Sequence, residues 1–365
     1  MTAKANARKA AATSRAVKTA VVILNWNTER YLRAFLPSLV ASCHDGAEVI
    51  VADSGSGDGS LDTLRNEFPS IRTIPLGANY GFTGGYNRAL AAIDAEYYLL
   101  INSDILVSDG WLEPLVAYMD SHRECGVCGP KLHALLPSGD GGWQRCDRFE
   151  YAGAAGGFID RYGYPFCRGR VLKRTEDDHG QYDAPARLMW VSGACLLTRA
   201  SLWRELGGLD DRFFAHMEEI DYCWRAQLRG WTVAVVPEST VWHLGGGTLA
   251  PSSPWKLELN YRNNLLLLEN NLPATIGPAS ARRRIFVRLL LDWASAAVYL
   301  LSFRPACFMA VVKAHRSYRK LRAGQPPIQL ASGRVNGYLR IFIILQSLLR
   351  GGGIFRYLRR YEDSH

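Results

Sequence analysis

A long apolar segment is what this sequence most clearly lacks. Its 365 residues include no uninterrupted run of 18 apolar side chains, roughly the length that a membrane-spanning helix requires. The best candidate, residues 285–301, is broken by Arg288 and Asp292. The first 18 residues are rich in Ala and Arg without an apolar core segment, so we expect no secretory signal and interpret residues 1–18 as a flexible basic arm.

Two phosphate-binding fingerprints are also missing. The chain has neither the G-x-G-x-x-G pattern of dinucleotide-binding folds nor the G-x-x-x-x-G-K-[ST] loop of phosphoryl-transfer proteins. Both absences disfavour dinucleotide-dependent oxidoreductases and P-loop enzymes. No internal repeat is visible, which disfavours a solenoid or a propeller.

Acidic residues are scarce at both ends of the chain. Residues 1–20 carry five Lys or Arg and no acid, and residues 280–365 carry 16 basic residues beside three acids. Residues 21–279 instead carry 22 basic and 31 acidic residues. An acidic body with two basic ends predicts a polyanionic partner for the ends, either a membrane surface or a nucleic acid.

The eight cysteines have two possible readings. Cys125 and Cys128, with Cys146 and Cys167, loosely fit a zinc site. However, a strand over residues 125–130 would turn the first two to opposite faces. Because no secretory signal is expected, we favour reduced thiols that act as small buried apolar side chains.

Apolar runs and helical patterns alternate over the first hundred residues. Runs at residues 19–25, 48–52, 71–75 and 97–101 predict strands, and patterns at residues 29–42, 60–68 and 81–94 predict helices. This spacing predicts an α/β fold with a mostly parallel, doubly wound sheet. Residues 137–186 are too long for a plain connection and predict a functional insertion. Beyond residue 280, apolar and basic residues mix at helical spacing.

Carboxylates follow two of the predicted strands. Asp53 ends the second strand, and the glycines behind it would let a ligand approach the backbone closely. Asp104 follows the strand at 97–101 and lies at the edge where open α/β sheets bind ligands. There it is placed to hold a divalent cation against a diphosphate. An acidic turn without a ligand is the alternative for Asp53.

A second acidic group begins a predicted helix. Glu218, Glu219 and Asp221 lie in its first turn, where the helix dipole alone would favour acids. Repulsion between adjacent carboxylates would raise a pKa, which suits a general base. His243 follows a predicted strand at residues 232–236 and is either a metal ligand through its neutral imidazole or a structural residue.

Seven segments, in this order, resemble the family 2 glycosyltransferases, which have the GT-A fold. They span about 230 residues: VVILNWNT (21–28), VADSGSGDGS (51–60), NYGFTGGYN (79–87), LLINSDI (99–105), VSGACLL (191–197), FFAHMEEIDYCWR (213–225) and VWHLGGGT (241–248). Residues 149–170 and 261–273 are further similar to bacterial rhamnosyltransferase-like members that build surface polysaccharides.

The resemblance implies roles for particular residues. Glu219 matches the catalytic base, usually Asp in the family, with Glu218 and Asp221 as further acidic candidates. Asp104 matches the last Asp of the DxD motif, in which Asn102 replaces the first, and His243 matches a histidine that helps to hold Mg²⁺ or Mn²⁺. The implied donor-binding positions are Asn25, Asn27, Asp53, Ser54, Gly81, Gly84, Asn87, Asn102, Ser103, Asp104, Gly193 and Ala194.

The resemblance also implies an activity. This is an inverting transfer of a sugar, rhamnose in this subgroup, from a dTDP- or UDP-sugar to a hydroxyl of a lipid-diphosphate-linked or polysaccharide acceptor in cell-surface glycan synthesis. The alternative is a catalytically inactive binding or scaffold protein of the same fold at the membrane, against which the intact set Asp53, Asp104, Glu219 and His243 argues.

These expectations divide the chain into three parts. After the arm at 1–18 we expect a GT-A domain over residues 19–272, with the insertion 137–186 near the acceptor side. Residues 273–365 are expected to form basic amphipathic helices that bind an anionic membrane or form a homodimer, rather than bind nucleic acid. The expected location is the cytoplasm, peripheral on the inner face of the plasma membrane.

Overall fold

The computed structural model describes residues 17–43, 46–139, 141–245, 253–322 and 335–363. The interpretation of residues 1–18 as a basic arm lies outside these residues, apart from Val17 and Lys18. Both of these belong to the first strand.

Four parallel strands form one half of the central sheet. They are β1 (Val17–Asn25), β2 (Ala47–Asp53), β3 (Arg72–Pro75) and β4 (Ala95–Ile101), in the spatial order β3-β2-β1-β4. The connections between them are α1 (Glu29–Ser42), α2 (Ser60–Glu67) and α3 (Gly81–Ala91). Every one of these elements overlaps its predicted range.

The next part of the chain completes this sheet and starts a second one. In order, it forms β5 (Ile105–Leu106), α4 (Glu113–Ser121), β6 (Cys125–Pro137), β7 (Trp143–Phe149), β8 (Gly157–Asp160), β9 (Pro165–Cys167), β10 (Arg170–Val171), β11 (Arg174–Thr175), β12 (Ala186–Arg187), β13 (Cys195–Arg199), α5 (Ala200–Leu206), α6 (Glu218–Leu228) and β14 (Thr232–His243). β13 is antiparallel to β4 and to β6, so β6 and β14 run parallel to β4. The sheet is therefore mostly parallel, as predicted.

Helices form most of the remaining chain. They are α7 (Pro254–Ile276), α8 (Pro278–Leu301), α9 (Pro305–Leu321), then after the short β15 (Tyr338–Leu339) come α10 (Ile343–Arg350) and α11 (Ile354–Asp363). β15 pairs with β8, and the Ile343 amide donates to Asp160 Oδ2 at 3.0 Å. The C-terminal segment thus packs on the small sheet β11-β10-β9-β8-β15 of the insertion. No described helix is both long and apolar enough to cross a membrane.

Both faces of the central sheet are covered, because successive side chains of β1 enter different cores. Val21 and Ile23 pack with side chains of α1, α2 and α4. Ala20 and Val22 pack with side chains of α3, α5, α6 and α7. This two-sided burial explains the near-continuous apolar runs of the strands and confirms the predicted helices on both faces.

Cys125 and Cys128 enter the same core, which makes the expectation of opposite faces wrong. Cys125 pairs with Thr232 but Val127 pairs with Val233, so Gly126 is an extra residue in β6. Such a bulge inverts the alternation beyond it. All eight thiols are free, and within the described residues no group of three His, Cys, Asp or Glu could hold a metal.

Candidate active site

The candidate site lies where β4, β13 and β14 meet. Asn102, Ser103 and Asp104 directly follow β4, and Gly193 and Ala194 directly precede β13. Because β13 is antiparallel, its start lies at the edge where β4 ends, and the Asn102 amide donates to the Ala194 carbonyl at 2.9 Å. Backbone pairing therefore brings two distant predicted segments together.

Asp104 and His243 lie side by side at this edge. His243 ends β14, and its Nε2 is 3.2 Å from Asp104 Oδ1. Burial alone would raise the pKa of Asp104, but the charge and hydrogen bond of His243 hold that pKa below its usual range. Burial alone would lower the pKa of His243, but Asp104 and Glu150 raise it well above its ordinary value. The two side chains form a buried ion pair.

The same two atoms fit a divalent cation. Ligand atoms about 2.1 Å from one ion at right angles lie about 3 Å apart, close to the observed separation of 3.2 Å. The side-chain nitrogen of Asn102 is 3.4 Å from His243 Nε2. Because residue 102 is an asparagine, it adds no carboxylate ligand to the pair. Within the described residues no third strong ligand lies beside Asp104 and His243, so a cation held there would take its remaining ligands from a bound diphosphate and from water.

A strained loop precedes α6. Phe214, His216 and Met217 have φ angles of 64°, 72° and 72°, a region that costs a non-glycine residue about 1–3 kcal/mol. The Asn263 side chain of α7 lies 2.7–2.9 Å from the carbonyls of residues 213, 215 and 216. Arg262 also donates to the Phe213 carbonyl at 2.7 Å. The packing of α7 therefore holds the loop in its strained form.

This loop leads directly into Glu218 and Glu219, the first two residues of α6. One oxygen of each, Oε2, is buried and accepts no hydrogen bond from the described residues. Burial raises the pKa of Glu219 to about 7. Burial and the neighbouring Glu219 raise the pKa of Glu218 well above its ordinary value. Because the two carboxylates are neighbours, they titrate as a pair, and this pair can hold or accept a proton near neutral pH.

Asp221 lies apart from these two carboxylates in its contacts. Its Oδ2 accepts from Arg225 at 2.6 Å, and its Oδ1 accepts from Asn270 and Asn271 at 2.9 and 2.8 Å. Both oxygens thus join α6 to α7. The structure gives Asp221 a place in the packing of this helix pair, whereas it was predicted as a catalytic candidate.

Gly193 connects the acidic pair to the sheet edge. A Cβ atom on Gly193 would lie 3.3 Å from Glu219 Cβ and 3.4 Å from Phe82 Cζ. Asn102 contacts the adjacent Ala194 through its backbone. Gly193 and Ala194 therefore link Glu219 to Asn102. The half-buried Ser103 lies between Asn102 and Asp104.

Asp53, at the turn that follows β2 (the Asp53 corner), accepts hydrogen bonds through both carboxylate oxygens. Its Oδ1 accepts from the amides of Gly55 and Ser56, both at 3.0 Å, and its Oδ2 accepts from the Asn25 amide at 2.7 Å. Thr28 donates to Asn25 rather than to the helix it precedes, and Asp58 accepts from the Glu29 amide at 3.0 Å.

Two further predicted residues belong to this corner. Asn27 accepts from the Gly57 amide at 2.7 Å, and the buried Ser54 donates its amide to the Asn25 carbonyl at 2.8 Å. The Ser54 hydroxyl has no partner among the described residues.

The glycine-rich start of α3 is filled by the protein itself. The Phe82 and Thr83 amides donate to the Phe214 carbonyl at 2.7 and 3.2 Å, and a Cβ on Gly81 would lie 2.5 Å from that oxygen. The amide end of α3, at the predicted donor-binding residue Gly81, thus contacts the strained loop.

Two other predicted donor-binding residues of α3 have contacts within the chain. Asn87 donates to the Leu209 carbonyl and to Asp211, both at 2.8 Å, and accepts from the Leu209 amide. Gly84 packs against Tyr80, since an added Cβ would lie 2.9 Å from Tyr80 Cβ.

Three residues of the site were not singled out from the sequence. Glu150 contacts His243 from the insertion, and Asn263 and Arg262 hold the strained loop. All three lie in the segments 149–170 and 261–273 that carried the subgroup resemblance. That resemblance was the available signal, but it did not indicate which residue does what.

A mostly parallel central sheet, with a histidine and a carboxylate at its edge and an acidic pair on a nearby helix, agrees with the predicted GT-A fold. The solved structure described as "Crystal structure of GalNAc-T7 with UDP, GalNAc and Mn2+" matches with a TM-score of 0.55 at 17% sequence identity. The match covers 70% of this chain and 48% of that one, so the chain spans about half of the solved protein. This likeness concerns the fold.

Residues 20–172 match the model of Glycosyl transferase family 2. An N-acetylglucosaminyl-diphospho-decaprenol L-rhamnosyltransferase of Mycobacterium tuberculosis is 28% identical over 234 residues, 61% of this chain and 75% of the relative. The O-antigen biosynthesis protein RfbC of Myxococcus xanthus is 24% identical over 233 residues, 62% of this chain and 17% of that protein. The predicted family and fold are confirmed.

Proposed function

We propose that this protein is an inverting glycosyltransferase that moves a sugar from a nucleotide diphosphate donor to an acceptor hydroxyl. One observation carries the proposal: the strained loop places Glu219 beside Gly193, next to the segment that contacts Asn102, and the buried Oε2 atoms of Glu218 and Glu219 accept no hydrogen bond from the described residues. Unsatisfied buried carboxylates are costly, and a catalytic base is a use that explains their retention.

Glu219 acts as the base in this proposal. It takes the proton from the acceptor hydroxyl as that oxygen attacks the anomeric carbon, and the bond to the diphosphate breaks on the opposite face. Burial raises the pKa of Glu219 to about 7, so its carboxylate can accept that proton near neutral pH. Nearby carboxylates also stabilise the positive charge that develops on the sugar ring.

Asp104 and His243 are the residues that would hold Mg²⁺ or Mn²⁺. The cation, when bound, neutralises charge that develops on the leaving diphosphate. The Asn25–Asp53 corner keeps the loop at residues 54–58 rigid, so that its exposed side forms a fixed surface for the base and ribose of a dTDP or UDP donor. Cation-binding and nucleotide-binding roles thereby fall to separate parts of the sheet edge.

Rhamnose is the donor sugar that we propose, and a lipid-diphosphate-linked glycan is the proposed acceptor. The name of the mycobacterial relative, a rhamnosyltransferase acting on a diphospho-decaprenol-linked sugar, supports both. Such an acceptor is confined to a membrane, so we propose a peripheral location on the cytoplasmic face. The product belongs to a cell-surface glycan.

An exposed apolar surface on α8 fits that location. Phe286, Leu290 and Trp293 are 61%, 54% and 43% exposed and lie on one face of the helix, away from its buried residues. Phe303 and Leu301 extend the surface at 94% and 79% exposure. Exposed basic residues flank it: Arg282, Arg283 and Arg304. Apolar side chains between basic ones are typical of helices that lie in an anionic membrane interface.

A donor screen tests the proposed activity. Thermal shift with a panel of nucleotide sugars should single out one donor, since binding stabilises the fold by RT ln(1 + [L]/Kd). The selected sugar is then offered with Mg²⁺ or Mn²⁺ and a synthetic lipid-diphosphate acceptor, and glycosylated product is measured by mass spectrometry. Binding of a donor without product from any acceptor would favour the catalytically inactive scaffold instead.

Liposome flotation tests the membrane surface. In the full chain, the double substitution Phe286→Ser with Leu290→Ser should reduce binding to anionic vesicles about tenfold or more, because each apolar side chain loses about 1.5–3 kcal/mol of burial. Leu136→Ser, at a 47% exposed strand position, is the matched control and should bind normally. A double variant that binds vesicles normally but changes from dimer to monomer would assign this surface to a homodimer.

A further inference from the structure

We infer that Glu150 is a positioning residue that fixes the orientation of His243 for a divalent cation. The inference rests on the proposed function, since it concerns the cation that this function would use. Glu150 directly follows β7 and lies in the segment 137–186 that is predicted to be a functional insertion. Its role would explain why an insertion reaches the centre of the site.

His243 lies between two carboxylates. Its Nε2 is 3.2 Å from Asp104 Oδ1, and its Nδ1 is 3.4 Å from Glu150 Oε2. Nδ1 is buried and makes no hydrogen bond among the described residues, so the ion-pair contact with Glu150 is the polar contact recorded for this nitrogen there. A histidine that binds metal through one ring nitrogen commonly directs the other toward a carboxylate, which fixes the tautomer and the ring plane.

Glu150 is itself held in place. Its carboxylate accepts from the Ala152 amide, its own amide donates to the Leu132 carbonyl at 2.9 Å, and the residue is only 6% exposed. A Cβ on Gly245 would lie 2.8 Å from Glu150 Oε1, so the chain after β14 passes directly against this carboxylate. Glu150 is therefore fixed against the strand end that carries His243.

Two other roles for Glu150 fit less well. It is not counted as a third metal ligand, because no group of three candidate ligands occurs among the described residues. Lys256 is close enough for Glu150 to influence its pKa, yet no described ion pair joins them. The side chain in close contact with the Glu150 carboxylate is that of His243.

A double-mutant cycle on metal affinity tests the inference without relying on activity. Mn²⁺ binding to the full chain, alone and with UDP, is measured by electron paramagnetic resonance for the wild type, Glu150→Gln, His243→Ala and the double variant. Glu150→Gln retains an acceptor for Ala152 but removes the charge, and should weaken Mn²⁺ about tenfold. In the His243→Ala background it should have little further effect, since the residue it positions is gone.

Glu176→Gln is the matched control. Glu176 lies in the same insertion and accepts from Tyr182 and Arg359 at 2.7 Å, so its loss reports on folding of the insertion alone. Wild-type Mn²⁺ affinity in Glu150→Gln, or a loss that adds fully to that of His243→Ala, would overturn the inference. A wild type that binds no Mn²⁺ even with UDP would overturn the proposed metal role of Asp104 and His243, and the inference with it.

Discussion

Two acidic corners of the sheet edge are built in opposite ways. At the Asp53 corner both carboxylate oxygens accept hydrogen bonds, from two backbone amides and from Asn25. At the Glu218–Glu219 corner one buried oxygen of each carboxylate has no partner among the residues that the structure describes, and the loop before it is strained. The first corner is an ordinary, satisfied turn; the second stores unfavourable free energy.

The difference separates a binding surface from a reactive group. The Asp53 carboxylate is held by hydrogen bonds to its own loop and to Asn25, so it serves to fix a binding surface. Desolvated neighbouring carboxylates instead favour protonation, which a base must undergo once in each catalytic cycle. We therefore expect substitutions at the second corner to affect the rate, and substitutions at the first to affect stability and donor binding.

Glu219→Gln should have the largest effect. It removes the proton acceptor but keeps the volume, so transfer should fall about 10²–10⁴-fold while donor affinity remains. Product formation and donor binding by calorimetry measure the two quantities. Glu218→Gln is the companion variant: if it abolishes transfer and Glu219→Gln does not, Glu218 is the base.

Asn263→Ala should have the next largest effect, since it releases the strained loop. We expect kcat to fall about 10–100-fold through misplacement of Glu219, with a smaller change in the KM of the donor. Asn270→Ala is the control on the same helix, because Asn270 bonds Asp210 and Asp221 at 3.1 and 2.9 Å rather than the loop. Equal losses of kcat in both variants would mean that α7 acts through general stability alone.

The parallel half of the sheet could be predicted because its physical cause is local. Strands buried on both faces need continuous apolar runs, and the residues directly after them lie at the ligand-binding edge. The ends of β1, β2 and β4 were therefore located, and with them Asp53 and Asp104. The resemblance added Glu219 and His243, which no periodicity could have selected.

The remaining parts depend on contacts between residues far apart in the sequence. The bulge at Gly126 arises from pairing with β14, more than 100 residues later. The filling of the α3 start by the Phe214 carbonyl, and the grip of Asn263 on the loop, arise from tertiary packing. A polar residue among leucines, such as Asn263, gives no sign of which backbone it will hold.

The pH dependence of rate and stability should differ between the two corners. Glu219 must be ionised to act, and its pKa is about 7, so kcat/KM should fall about tenfold per pH unit below that value. Between pH 4.5 and 7, Glu219 binds more protons in the folded state than in the unfolded state. Its contribution to the free energy of unfolding therefore falls as pH rises through this window.

Glu219→Gln should reduce that stability trend, and its Tm should exceed that of the wild type at pH 8 but not at pH 4. Rates of sugar transfer and thermal unfolding, each measured across this pH range, give the pH dependence of the rate and of the stability. A wild-type rate profile that stays flat down to pH 5 would contradict a base with this raised pKa.

Asp53→Asn should have the smallest effect on rate and a clear effect on stability. One of its side-chain positions becomes an amide that faces the Asn25 amide, so a buried donor loses its acceptor at a cost of about 1–3 kcal/mol in urea unfolding. The exchange Asn25→Asp with Asp53→Asn restores a carboxylate opposite an amide and should recover most of this loss, with kcat within a few-fold of the wild type throughout. If Asp53→Asn instead lowers kcat as strongly as Glu219→Gln, and the exchange fails to restore it, then the satisfied corner takes part in the chemistry and the division between binding and reaction does not hold.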